Sequence, residues 1–139
     1  MEPPMLGLLD IDPAAAAPIW RQIEDGMRRL VASGALPVGT AVPSVRELAR
    51  ELRVNPATVS KAYQRLTADG ALEVRRGEGT FVAERSAETM ADERERLLAV
   101  EATRFVDAAR SMGVTEGDAE AAISGAWREI DDAPDGGNS

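Results

Sequence analysis

The 139-residue chain is predicted to be mainly α-helical with one small β-hairpin: three helices, the hairpin, then two further helices. Three observations predict this. Apolar residues recur at the spacing of one helix face in the stretches 18–33, 44–69, 86–112 and 115–130. Residues that start and stop helices bracket those stretches: Pro18, Ser44 and Asn55 at the front, Gly34, Gly70 and Gly113 at the back. Between Gly70 and Glu84 the apolar period drops to two on either side of a Gly-rich turn, as in a pair of strands.

Residues 1–17 are rich in Pro and Ala, with a short apolar stretch from Met5 to Ile11, and read as an extended arm or a first turn of structure. From Pro18 onward, Ile19, Ile23, Met27, Leu30 and Val31 share one face. Trp20 lies beside that stripe, and Arg21, Glu24, Asp25, Arg28 and Arg29 cover the other side. Pro37 and Gly39 then turn the chain. Ser44 and Glu47 make an S-x-x-E capping box for a short helix over about Val45 to Leu52, with Val45, Leu48 and Ala49 inward. After the tight connection Arg53-Val54, Asn55 caps a third helix. Pro56 suits its first position, where a missing N–H costs nothing. Val59, Ala62, Tyr63 and Leu66 face inward, and Gly70 closes the helix.

Ala71 to Arg75 alternates apolar and polar, Arg76-Gly77-Glu78-Gly79 turns, and Thr80 to Ala83 is a second β-prone run. From about Ser86 a long helix carries Met90, Leu97, Glu101, Phe105, Ala108 and Met112 in one stripe, widened by Leu98, Val100, Val106 and Ala109. Glu93-Arg94-Glu95-Arg96 reads as a solvated face with partners one turn away. Thr115 and Asp118 resemble another cap, opening a last helix with Ala119, Ile123, Ala126, Trp127 and Ile130 on one side. Asp131 to Ser139 is acidic and Gly-rich and reads as disordered. The implied domains are 10–84, a helical region over 85–131, and a tail over 132–139.

Composition narrows the chemistry. The chain has no cysteine and no histidine, which excludes disulfides, thiolate or imidazole metal sites, cysteine nucleophiles and histidine bases. No apolar run approaches the ~18 residues a membrane helix needs. Met1-Glu2-Pro3-Pro4 lacks the basic start of a secretory signal, so a cytoplasmic protein without a membrane partner is expected. Asp131-Asp132 has no apolar surroundings to shift a pKa, so neither catalysis nor a metal is expected there. No cofactor is expected.

The formal net charge of −8 has the wrong sign for a polyanion partner. Its distribution says more. Residues 1–83 are neutral, and the whole excess falls in 84–139, with 6 Arg against 14 Asp and Glu. Between Ser44 and Arg76 seven cations oppose four carboxylates, a balance of +3. Salt screens charge over roughly 8 Å, so a basic face can act while a distant segment is acidic.

Two short helices joined by a tight turn and followed by a hairpin are the pattern of a winged helix-turn-helix. A helix that enters the major groove needs small or polar residues outward, so that its backbone comes close to base edges. Asn55, Ala57, Thr58, Ser60 and Lys61 meet that need. Ser44, Arg46 and Arg50 on the preceding helix are placed to reach phosphates. At the hairpin tip, Arg75, Arg76 and Gly77 combine cations that suit a minor groove with a residue that permits close approach.

The run Pro18-Ile19-Trp20-Arg21-Gln22-Ile23, the run Gly34 to Gly39, and Val42-Pro43-Ser44-Val45-Arg46-Glu47-Leu48-Ala49 together resemble the N-terminal domain of GntR-family transcription regulators. So do Val54 to Tyr63, Leu66, Asp69-Gly70 and Gly77-Glu78-Gly79-Thr80-Phe81-Val82. The resemblance covers about residues 10–84, with Trp20 where tyrosine is more usual. It implies that Arg46 contacts an operator, that Asn55, Ala57, Thr58 and Ser60 face DNA with Lys61 extending that face, and that Arg76 and Gly77 reach a minor groove. Several members carry arginine where this chain has Pro56 or Ser60, so no operator sequence carries over. The C-terminal part resembles the short helical hairpin through which the YtrA-type subfamily dimerises. Leu97, Phe105, Met112, Ile123, Trp127 and Ile130 are the expected dimer contacts. Two helices cannot bury such wide stripes alone, and a two-fold partner completes a bundle.

The expected function is a homodimeric, sequence-specific regulator, a repressor, on an inverted-repeat DNA operator, with room for an unidentified small-molecule effector. No enzymatic activity is expected. Two alternatives stand beside it. One is a protein–protein module whose helix-turn-helix no longer binds DNA, suggested by the acidic total. The other is a fragment of a regulator–aminotransferase fusion. Pyridoxal chemistry needs a Schiff-base lysine, and the only lysine is Lys61 on the helix expected to enter DNA.

Overall fold

The computed structural model describes residues 9–134. The elements run α1 (Ile19–Ala32), α2 (Val45–Leu52), α3 (Pro56–Ala68), β1 (Leu72–Arg75), β2 (Gly79–Val82), α4 (Ala87–Ser111) and α5 (Glu116–Asp132). The described residues form two compact units, one ending at Glu95 and one beginning at Arg96.

In the first unit, α1, α2 and α3 pack around Ile23, Met27, Leu48, Val59 and Leu66, all essentially inaccessible, and Val82 of β2 closes one end. The expected caps form. Ser44 Oγ accepts from the Glu47 amide at 3.1 Å, and Asn55 Oδ1 accepts from the Ala57 amide at 2.8 Å. Between α2 and α3, Arg53 adopts a left-handed conformation with φ of 57°. The Val54 amide then donates back to Ala49 O at 3.0 Å, which makes the turn tight. Tyr63 Oη donates to Pro43 O at 2.7 Å and locks α3 to the residue before the α2 cap. Tyr63→Phe should cost about 1–2 kcal/mol in a urea melt, because the Pro43 carbonyl loses its partner.

β1 and β2 pair antiparallel, Leu72 opposite Val82 and Arg75 opposite Gly79. Residues 39–42 join them as a short third edge that the sequence did not suggest. The Val42 amide donates to Thr80 O and the Val82 amide to Thr40 O, both at 2.9 Å. The wing is thereby zipped to the chain that enters α2.

One expectation is corrected in this unit, and one left open is decided. Of the two readings of the segment before α1, an extended arm or a first turn of structure, the described part forms the turn, the Ala15 amide donating to Asp12 O at 3.1 Å, and it is docked. Leu9 is buried against Gly26, and the Gln22 side chain bridges to the backbone of Asp12 and Ala17. The stretch Met5 to Leu8 lies outside the described residues. Glu93, read on a solvated face, and Glu24, placed opposite the apolar stripe of α1, are each 6% exposed. Met90 and Glu93 of α4 pack onto this unit.

The buried carboxylates belong to one charge network. Arg28 donates to Glu24 at 2.9 Å, to Asp69 at 2.6 Å and to Glu93 at 3.1 Å. Arg65 Nε donates to the second Glu24 oxygen at 2.8 Å, and Arg85 pairs with Glu93. Three cations meet three carboxylates, which is how buried charge is tolerated. Burial pushes the Glu24 carboxyl up, but the hydrogen bonds and charge of Arg28 and Arg65 outweigh it and hold the group below the usual carboxylate range.

In the second unit, α4 continues from Arg96 and turns at Gly113, whose φ of 70° favours glycine. Thr115 Oγ1 caps α5 by accepting from the Asp118 amide at 3.2 Å. α5 persists through Asp132, so Asp131 and Asp132, expected in the disordered tail, are helical. The rest of that expected tail, from Asp135, lies outside the described residues.

Candidate nucleic-acid interface

The outward side of α3 is bare. Asn55, Ala57, Lys61 and Gln64 are exposed, and Thr58 and Ser60 are half-buried at its edges. This follows from the inward set: once Val59, Ala62, Tyr63 and Leu66 face the core, their neighbours must face out. Ser44 and Asn55 each spend a side-chain oxygen on a cap, which leaves the Asn55 amide N–H₂ for a ligand. Gln64 Nε2 donates to Ser60 Oγ at 3.3 Å along the same side.

Arg46 and Arg50 project from α2 and Arg76 from the wing tip. All three are exposed, and none pairs with a carboxylate among the described residues. Gly77, with φ of 78°, makes the tip turn, in which the Glu78 amide donates to Arg75 O at 2.9 Å. Arg75 is placed differently from the expectation. Its guanidinium lies 4.2 Å from the Phe81 ring centroid and its Nε donates to Glu73 at 2.7 Å, so it braces the hairpin and leaves the tip to Arg76. Lys61 also has a contact within the chain, its ammonium resting 4.4 Å from the centre of the Trp20 ring.

The expected dimer contacts fall in the second unit and on α4. Met112, Trp127 and Ile130 are 71%, 69% and 75% exposed, while Phe105 and Ile123 are exposed and Leu97 half-buried. Leu98, Val100 and Val106 add to this apolar surface. α5 buries none of its residues, and on α4 beyond Arg96 only Ala109 is buried. A groove of about 510 Å³ opens near the turn, with Phe105, Val106, Ala109, Ala119 and Ile123 along its walls and Arg110 and Glu120 at its rim.

Among the described residues, no group of three or more acidic side chains is set to hold a metal, and no helix is long and apolar enough to cross a membrane.

A three-helix core, a wing tied to the entry of α2, and a bare α3 flanked by uncommitted arginines define a winged helix-turn-helix DNA-binding regulator. The chain belongs to the GntR family of bacterial regulatory proteins. Residues 20–82 match the model of bacterial regulatory proteins, gntR family. The HTH-type transcriptional repressor YtrA of Bacillus subtilis (strain 168) is 36% identical over 107 residues, covering 77% of this chain and 82% of the relative. Among solved structures, YtrA from Sulfolobus acidocaldarius, a GntR-family transcription factor, superposes with a TM-score of 0.55 at 34% identity, covering 70% of this chain and 98% of that one. A GntR family transcriptional regulator from Listeria monocytogenes superposes with a TM-score of 0.68 at 24% identity, covering 82% and 97%, a likeness of fold.

Proposed function

We propose that the protein is a homodimeric repressor that grips an inverted-repeat operator, with one α3 in each of two successive major grooves and one wing in each flanking minor groove. The observation that carries this reading is the bare face of α3 standing between unpaired Arg46 and Arg50 on α2 and unpaired Arg76 on the wing. Asn55, Ala57, Thr58 and Ser60 face base edges. Ser44, Arg46 and Arg50 take backbone phosphates, or a guanine edge in the case of Arg46. Arg76 enters the minor groove beside Gly77.

The second unit supports the dimer. Its apolar side chains stand open in the single chain, and a second copy packed two-fold on them would close the groove at the Gly113 turn. The groove is then filled by the partner rather than kept for an effector. Two linked domains match half-sites about one helical turn apart. Such a protein works on chromosomal DNA, in the cytoplasm, and catalyses nothing.

Titration of labelled upstream DNA at two salt concentrations tests the reading. A steep loss of affinity with salt is expected from phosphate contacts. Salt-independent binding, or none to any duplex selected from a random pool, would favour a protein–protein module instead. Arg46→Ala should weaken operator binding by about 1–3 kcal/mol while the thermal melt stays in place, because the side chain is exposed and unpaired. An unchanged dissociation constant removes Arg46 from the interface.

A further inference from the structure

Trp20 stands in the first turn of α1, half-buried against the edge of the core. Three cations surround its ring. Lys61 Nζ lies 4.4 Å from the centroid, Arg65 Cζ 4.9 Å and Arg21 Cζ 5.9 Å, all within the reach of the ring quadrupole. They differ in what else holds them. Arg65 is paired with Glu24, so its charge is balanced locally. Lys61 has no carboxylate partner among the described residues, and the indole face is what holds it.

That difference matters for a side chain on the DNA-facing helix. A carboxylate would fix the ammonium but cancel its charge. An aromatic face fixes it and leaves the charge available to an anion. It also shortens the list of conformers the long lysine chain must give up on binding.

We propose that Trp20 is a positioning residue for operator binding: its ring holds the Lys61 ammonium at the seam between α1 and α3, where it meets a phosphate oxygen beside the major groove rather than a base edge. The proposal rests on the reading of α3 as the groove helix, and it moves Lys61 from sequence readout to backbone contact. Lys61 therefore contributes affinity and salt dependence but no base preference.

Lys61 is the only lysine in the chain, so ¹³C-lysine labelling of the full-length protein yields one ε-methylene signal. In the free wild-type protein this signal should be shifted upfield by the indole ring, and Trp20→Leu should return it to the random-coil position. A random-coil signal in the wild type overturns the proposal without need of any variant, so the test stands even where Trp20→Leu does not fold. Binding is measured on a duplex selected from a random pool by the wild-type protein. Lys61→Met should lower the slope of log affinity against log salt by about two, one for each protomer, and weaken selected and point-mutated duplexes by the same factor. Trp20→Leu should weaken binding about three- to fivefold per half-site, and so about 10- to 25-fold for the dimer. Trp20→Tyr should restore most of that loss. In the Lys61→Met background, Trp20→Leu should have no further effect, because its role is exercised through the lysine. Additive losses, or a Lys61→Met effect confined to one base position, overturn it. A wild-type protein that selects no duplex from the pool refutes the regulator reading instead, and the NMR signal still decides the ring contact.

Discussion

Arg28→Met is expected to cost about 3–5 kcal/mol of folding stability, the largest loss from any single charge change in the first unit. Arg28 is the cation that Glu24, Asp69 and Glu93 share, and Glu24 and Glu93 are each only 6% exposed. Methionine fills similar space but leaves those two carboxylates buried, with only Arg65 and Arg85 in partial compensation. Urea unfolding of the variant against wild type measures the loss, with Arg46→Ala as the exposed control. Adding Glu24→Leu and Glu93→Leu should recover much of it, because the cost lies in unpaired buried charge rather than in missing volume. The same network makes the protein acid-sensitive. Glu24 is held below its ordinary carboxyl value near 4.5, so its contribution is complete above that value and is lost as pH falls through the lower folded value. Glu24→Gln should therefore flatten the fall of melting temperature below about pH 4.5. An equally steep fall would place the acid sensitivity in other carboxylates.

Trp127→Asp is expected to convert a dimer into a monomer and to weaken operator binding by a factor of about 100 or more, the advantage that linking two half-site contacts provides. Trp127 is 69% exposed in the single chain, so the substitution leaves the monomer's own packing alone, and its helical circular dichroism should not change. In a two-fold bundle the same position is covered, and an aspartate there would bury an unpaired charge. Sedimentation velocity at micromolar protein reads the result directly. A variant that still sediments as a dimer would show that α5 is not the contact surface, and the open apolar side of the second unit would need another partner.

What could be read along the chain follows the range of the interactions concerned. The caps at Ser44, Asn55 and Thr115 join atoms two or three residues apart, so residue type and spacing suffice to foresee them. The inward set Val59, Ala62, Tyr63 and Leu66 follows from period alone, and with it the outward face of α3. The wing turn at Gly77 follows from its glycine and the flanking alternation. Charged residues were harder to place. Glu93 stands in a run, Glu-Arg-Glu-Arg, that reads as solvent-facing, and within its own helix nothing distinguishes it from Glu95. It is buried because Arg28, 65 residues earlier, meets it across α1 and α4. Arg75 and Arg76 are likewise equal in sequence, yet Arg75 turns back onto Phe81 while Arg76 stays free. The pairing of 39–42 with β2 had no local signal either, since residues so placed read simply as a turn.

Order and type of the elements, the caps and the face that α3 turns outward were determined by the sequence itself, because period and neighbouring residue types set them within a turn or two of chain. The tertiary structure alone decided which charges are spent on partners within the chain and which stay unpaired. Whether Arg28, Arg65 and Arg75 are committed while Arg46, Arg50 and Arg76 stand free depends on where separate elements cross, and carboxylates and rings far away in sequence reach only some of the arginines there.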